Sequence, residues 1–252
     1  MRATIALGVA LGGCGFRVAP AADDTAAMID APPPAPPRQI CASPEPGVVA
    51  CYDFDGDTND ASPNHLDLSA NNLTFVPSLA GMATQFAADS TTDTNDTDAF
   101  DVSALTIELW IQPARLPLLP EHAVIMDVNA QYALHLQPDG RISCVLVGAS
   151  ALAIPLDAPL SARVIIGEWT HVACTYDGTN GAIYINGAPA TTGMIGGPLH
   201  TSGSDGMSVG GENPPKDGDR SRFIGLIDEF RLMSVARSAA DICQDAGKSP
   251  CP

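Results

Sequence analysis

From residue 168 to residue 187 the chain alternates between apolar and polar positions. Val172, Cys174 and Tyr176 are separated by Ala173 and Thr175, a period of two rich in β-branched and aromatic residues, which predicts a half-buried strand. Asp177-Gly178 and Asn180-Gly181 supply the positive-φ residues of a tight reversal, Ile183-Tyr184-Ile185 reads as the returning strand, and Asn186-Gly187 turns the chain again. Tyr132–Leu136 and Ile142–Leu146 flank Pro138-Asp139-Gly140 and predict a second hairpin. Residues 148–162 are small and apolar, with Pro155 and Pro159, and fit a crossing loop or an edge strand. A hairpin alone is marginal in water, so these pairs need a second sheet over their apolar faces. The strand signals continue without a break after residue 48, and no repeat of fixed period is visible. One large all-β domain is therefore expected, with enough surface to bury to fold without help.

The N-terminal pattern is different. Met1-Arg2 is followed by a short apolar run, Ala3–Leu11, and then by Leu11-Gly12-Gly13-Cys14, which resembles the bacterial lipobox. The run is too short to span a bilayer. Residues 1–13 are expected to be a lipoprotein signal peptide and Cys14 the lipidated residue. Residues 14–40, with Pro32-Pro33-Pro34-Ala35-Pro36-Pro37, cannot build a core and read as a disordered, Pro-rich linker. That leaves residues 41–252 for the folded domain, held at a bacterial cell envelope through the N-terminal lipid alone. The formal net charge is −17, from 12 Lys and Arg against 29 Asp and Glu, which argues against a nucleic-acid partner.

Four stretches in register carry a family resemblance. Trp169-Thr170-His171-Val172-Ala173, Tyr176-Asp177-Gly178 and Ile183-Tyr184-Ile185-Asn186-Gly187 resemble the central hairpin of laminin-G-like, concanavalin A-like jelly-roll domains. Phe54-Asp55-Gly56-Asp57 through Asp60-Ala61-Ser62-Pro63-Asn64 resembles the opening strand and its loop, Leu105–Ile111 the strand ending in tryptophan, and Phe223–Leu232 with Ala236-Arg237-Ser238 the closing strand and its helical tail. Pro63 departs from the family's usual glycine and restricts the loop backbone. The resemblance implies a two-sheet antiparallel jelly-roll sandwich. It also implies a structural Ca²⁺ between the opening loop and the closing strand, with Asp60, Asn64 and Asp228 as ligands, completed by backbone carbonyls and water.

Seven cysteines less Cys14 leave six: Cys41, Cys51, Cys144, Cys174, Cys243 and Cys251. An even number in an exported protein suggests three disulfides, for which fifteen connectivities exist. Cys243 and Cys251 lie close in sequence in a polar tail, so a local bridge is easily closed. Cys144 and Cys174 are both mid-strand and would bridge if their strands are neighbours, which leaves Cys41 with Cys51. Zinc is the rival, but no Cys-x-x-Cys spacing occurs and no histidine stands at ligand spacing.

The candidate chemistry is sparse. Gly206-Met207-Ser208-Val209-Gly210 matches a nucleophile-elbow pattern, yet Pro214-Pro215 follows where a helix must start. A glycosidase on this fold needs paired carboxylates on one side of the sheet. Asp228 and Glu229 are adjacent and should face opposite sides, and Glu108 has no acid at 106 or 110. None of the five histidines forms a near-neighbour pair, and His171 reads as a structural strand residue. Most aromatics are expected in the core, namely Trp110, Trp169, Tyr176, Phe223 and Phe230, leaving Tyr132 and loop residues as sugar platforms. The acidic run Asp53–Asp60 looks like a calcium loop but departs from the EF-hand at Thr58 and Asn64. The resulting expectation is a non-catalytic binding or adhesion module, calcium-stabilised, with a glycan or cell-surface protein as ligand. A glycan-processing enzyme of the same fold and a ligand-free structural envelope protein are the alternatives.

Overall fold

A computed structural model describes residues 39–42, 45–78, 80–128, 130–201, 206–212 and 221–252. The signal-peptide and linker readings and the lipidated Cys14 lie outside these residues. The described residues form fifteen strands: β1 (Val48–Tyr52), β2 (Ser69–Asn71), β3 (Thr74–Pro77), β4 (Met82–Phe86), β5 (Thr91–Asp93), β6 (Leu105–Pro113), β7 (Ala123–Val128), β8 (Tyr132–Leu136), β9 (Ile142–Val147), β10 (Ala153–Asp157), β11 (Thr170–Tyr176), β12 (Asn180–Ile185), β13 (Ala188–Met194), β14 (Met207–Val209) and β15 (Gly225–Met233). One α-helix, α1 (Ala239–Asp245), follows them. Its start is set by Ser238 and Asp241, whose side chains cap each other's backbone N–H groups.

Two antiparallel sheets face each other. The larger has eight strands in the order β13-β12-β11-β6-β15-β4-β3, with β1 also paired to β15; the smaller has five, β10-β9-β8-β7-β14. A minor ladder joins β2 to β5. Strand alternation builds the core between the two large sheets. Val172, Cys174 and Tyr176 of β11, with Ile107, Leu109 and Ile111 of β6 and Ile227, Phe230 and Leu232 of β15, meet Tyr132, Leu134 and Leu136 of β8 and Ile142, Cys144 and Leu146 of β9. The proline-bearing 148–162 stretch supplies β10, an edge strand in which Pro155 sits opposite Val145.

Three disulfides join Cys41 to Cys51, Cys144 to Cys174 and Cys243 to Cys251. The middle one links β9 to β11 and so ties the two sheets together through the core. It closes a sequence separation of 30 residues, worth about 3–4 kcal/mol in the chain-entropy account.

Three aromatic residues depart from expectation. Tyr132 is 1% exposed, and its hydroxyl donates to the Phe100 carbonyl at 3.1 Å, so it is a core residue rather than a platform. Trp110 is buried, but it lies outside the inter-sheet cluster, against His171 on the outer face of the larger sheet. Trp169 is only half-buried. Alternation assigns a face to each side chain, but it does not say which faces a second layer will cover.

Candidate functional site

The outer face of the larger sheet holds a buried chain of charges. Register places Glu108 of β6 beside Arg231 of β15 and two pairs along from His171 of β11, on the same face. Glu108 accepts from Arg231 Nη2 at 2.7 Å, and His171 Nε2 lies 3.0 Å from its other oxygen. Arg231 Nη2 also donates to Asp245 at 2.6 Å, and Arg237 joins Asp245 to Glu45. Burial pushes the Glu108 carboxyl up, but the hydrogen bond and charge of His171, with the guanidinium of Arg231, outweigh it and hold the pKa below the ordinary value. A carboxylate, an imidazole and a guanidinium could serve acid–base chemistry. Here Glu108 and His171 are 0% exposed and Arg231 and Asp245 are 1% exposed, so the cluster fastens α1 and the segment around Glu45 to the sheet.

A second acidic group lies on the same face. Asp228 pairs with Trp110 and Arg231 with Glu108, so two residues, Glu229 and Phe230, stand opposite Leu109 alone. This is a β-bulge, with Glu229 at φ +50. Ile227 and Phe230 both point into the core, which leaves Asp228 and Glu229 together on the outer side. The expectation that these adjacent acids face opposite sides is thus corrected by the bulge. Burial raises Asp228 to about 7, against the hydrogen bond from Ser78, and the negative charges of Asp55 and Asp53 add to it. Burial likewise raises Glu229 to about 7, although its carboxylate accepts the Cys41 N–H at 3.0 Å.

The residues expected to hold calcium are placed differently from one another. Asp60 accepts four hydrogen bonds, from the N–H groups of Cys51, Ser62 and Leu66 at 2.8 Å each and the Ser62 hydroxyl at 2.6 Å. Its carboxylate is saturated as a loop organiser and does not fit a cation ligand. Asn64 uses its amide nitrogen to donate to the Val49 carbonyl at 2.8 Å. Asp228 is different: its Oδ2 accepts from Ser78 Oγ at 2.7 Å, while Oδ1 is buried without a hydrogen-bond partner. Among the described residues, no three His, Cys, Asp or Glu side chains are grouped closely enough to hold a metal ion. Asp60, Asn64 and Asp228 are therefore not assembled as one ligand set.

The nucleophile-like Ser208 lies in β14, 3% exposed, and donates to the Gly211 carbonyl at 2.6 Å. Its flanking Gly210 is a packing requirement: at φ +79, an added Cβ would sit 2.2 Å from the Phe86 ring.

The accessible polar surface lies on the other flank. Because Tyr132, Leu134, Ile142, Cys144 and Leu146 face the core, Ala133, His135, Val145 and Val147 of the smaller sheet face outward. With Gln131 and Glu212 these line a depression of about 300 Å³. His135 stacks on His122, with ring centroids 4.0 Å apart. Burial lowers the His135 pKa to about 3, and the neighbouring His122 adds to the effect, so the imidazole stays neutral. The sequence offered no sign of this pair, because the two are brought together by the β7–β8 register, in which Val124 lies opposite His135. The residue before His122, Glu121, lines a larger cavity of about 400 Å³ at the rim, with Ala88, Arg115, Leu118, Arg222 and Ile224. Leu118 and Leu119 on the β6–β7 loop are 77% and 83% exposed. Rim cavity, imidazole pair and sheet depression thus follow one another along one flank.

Comparison with known proteins agrees with this architecture. The family model of the concanavalin A-like lectin/glucanases superfamily matches residues 86–243. No curated protein matches the chain. Among solved structures, domain 4 of AbnA, a GH43 extracellular arabinanase from Geobacillus stearothermophilus solved with arabinotriose, is 21% identical, with a TM-score of 0.65 over 79% of this chain and 98% of that one. The binding domain of Paraclostridial mosquitocidal protein 1 is 16% identical, with a TM-score of 0.66 over 79% of this chain and 52% of that one. The botulinum neurotoxin serotype G binding domain is 14% identical, with a TM-score of 0.62 over 79% of this chain and 50% of that one. The chain spans about half the length of these two toxin domains, and at such identities the likeness is one of fold.

Proposed function

The chain belongs to the concanavalin A-like lectin/glucanase superfamily, and from that premise we propose that it is a non-catalytic glycan-binding module whose ligand lies along the flank just described. The observation that carries this reading is the run of rim cavity, stacked His122–His135 and sheet depression, with apolar walls and a few polar groups between them. The stacked imidazole rings offer a flat surface for the C–H face of a sugar ring, and Glu121 and Glu212 offer partners for hydroxyl groups. The non-catalytic part is supported by the sealing of Glu108, His171 and Asp245 away from any substrate. The likeness to an arabinanase domain solved with arabinotriose adds support for a saccharide over a protein ligand.

Two further elements belong to the proposal. Cys14 anchors the chain in a bacterial envelope through lipid. Asp228, rather than Asp60, would offer a carboxylate oxygen to a structural Ca²⁺, because Asp228 has the bare buried oxygen and feels the charge of Asp53 and Asp55; backbone carbonyls and water would have to supply the other ligands, since no three acidic side chains are grouped there among the described residues. A hard cation there would neutralise carboxylates that otherwise repel.

A glycan array probed with the full chain, followed by calorimetric titration of each hit, tests the binding role. His122→Ala should weaken the captured glycan at least about fivefold, roughly 1 kcal/mol. Failure to retain any glycan, or retention indifferent to His122→Ala, would overturn the site. Release of new reducing ends from a bound glycan would overturn its non-catalytic character.

A further inference from the structure

In a chain of formal charge −17, the described cations are mostly committed. Arg141 pairs with Asp139 and Asp157, and Arg231 and Arg237 belong to the buried charge chain. The rim cavity nonetheless gathers two guanidinium groups, Arg115 and Arg222. Arg222 is 6% exposed and is built into the wall, with Nη1 donating to the Ser90 carbonyl. Arg115 is exposed, at the open side, and makes no hydrogen bond or ion pair with any described residue. Leu118 and Ile224 supply apolar parts of the same lining.

An occupant must therefore combine three properties: an anionic group for the guanidinium fork, an apolar face for the leucine wall, and a size near one or two sugar rings. A uronate has all three. Its planar carboxylate matches a guanidinium bidentately, its ring carries one C–H face, and its hydroxyls can donate to Glu121. A long polyanion fits less well, because Glu121 and the strongly negative field of the whole protein oppose each added charge. The geometry points to the rim cavity as a subsite for a single carboxylate-bearing sugar unit, within a glycan that is otherwise neutral. This rests on the glycan-binding reading above and specifies the chemistry of its anionic end.

The test is titration of the full chain with D-galacturonic acid, its methyl ester and D-galactose, followed by NMR or calorimetry. The acid should bind at least about tenfold more tightly than the ester or galactose, equivalent to ~1.4 kcal/mol. Raising the salt should erode that preference without affecting the neutral sugars. Arg115→Gln should abolish the preference while leaving the melting temperature unchanged, since Arg115 is exposed and has no partner among the described residues. Equal binding of acid and ester by the wild type, or an undiminished preference in Arg115→Gln, overturns the inference. If neutral oligosaccharides still bind in that case, the glycan reading stands and only the anionic subsite falls. If no saccharide binds, both fall.

Discussion

Replacing Asp228 by Asn isolates the cost of burying an acid beside other acids. The substitution keeps an oxygen to accept the Ser78 hydroxyl, which donates at 2.7 Å, and removes the charge that Asp53, Asp55 and Glu229 repel. A carboxyl whose pKa rises from 3.8 in the open chain to about 7 when folded keeps its proton where the unfolded chain has lost it. Between those values the folded state binds more protons, so stability falls as pH rises through the window and stays low above it. At about 1.4 kcal/mol per pH interval of one, the ceiling is ~4 kcal/mol. Glu229 shares the same field and relaxes when Asp228 is neutralised, so a net gain of about 2–4 kcal/mol is expected for Asp228→Asn at pH 8 in EDTA. That corresponds to a melting temperature roughly 5–10 °C higher for a domain of this size. Near pH 4 the two proteins should melt together. General repulsion in so acidic a chain also changes with pH, but it is common to both, so the difference between the two curves is the informative quantity. Millimolar calcium should raise the wild type and leave the variant unmoved. A variant that melts below wild type at pH 8 in EDTA, or a difference independent of pH, would refute the electrostatic reasoning; an unmoved wild type in calcium would remove the ion from the account.

Glu108→Gln should destabilise the fold by about 3–5 kcal/mol in denaturant melts, because Arg231 then keeps a buried charge with one partner fewer. Since the Glu108 pKa is lowered on folding, its contribution is present at neutral pH and is lost as pH falls through the folded value, so the variant should show a weaker loss of stability in acid than wild type. The double variant Cys144→Ser with Cys174→Ser should lower stability by about 3–4 kcal/mol with the sandwich intact by circular dichroism; an unchanged denaturation midpoint would show that the cross-sheet bond adds nothing. Cys14→Ser should move the protein from the membrane to the soluble fraction of a bacterial host, and unchanged membrane association would sink the lipid anchor.

What could be read from sequence was local. The β11–β12 hairpin announces itself in alternation and turn residues, and the cysteine pairs follow from strand placement and closeness in the chain. What could not be read depends on partners distant in sequence. Glu229 takes a positive φ with nothing in its side chain to signal it, and that one residue turns two acids to the same side. His122 and His135 meet only through a ladder whose register shifts between Val124 and Met126. The family resemblance implies Asp60 as a calcium ligand, yet backbone N–H groups of β1 and of its own loop claim both oxygens.

The two outer faces of the sandwich have different fates for a reason that lies in the chain ends. Glu229 holds the Cys41 N–H and Arg231 the Ile40 carbonyl at 3.3 Å, so the start of the domain is fastened onto the last strand. The tail continues from that strand into α1, whose Ile242 packs on Ala173 and Tyr184 and whose Asp245 closes the ion chain to Arg231. Both ends therefore lie over the larger sheet, and the charges beneath them lose access to solvent. Acid–base residues on that face become structural because of what covers them, not because of what they are. The smaller sheet receives no such cover from the described ends. Its outward side chains keep their depression, and its rim keeps two exposed leucines and Arg115, which has no partner among the described residues. An exposed apolar loop beside a cation with no partner among the described residues is the surface on which the proposed ligand recognition rests.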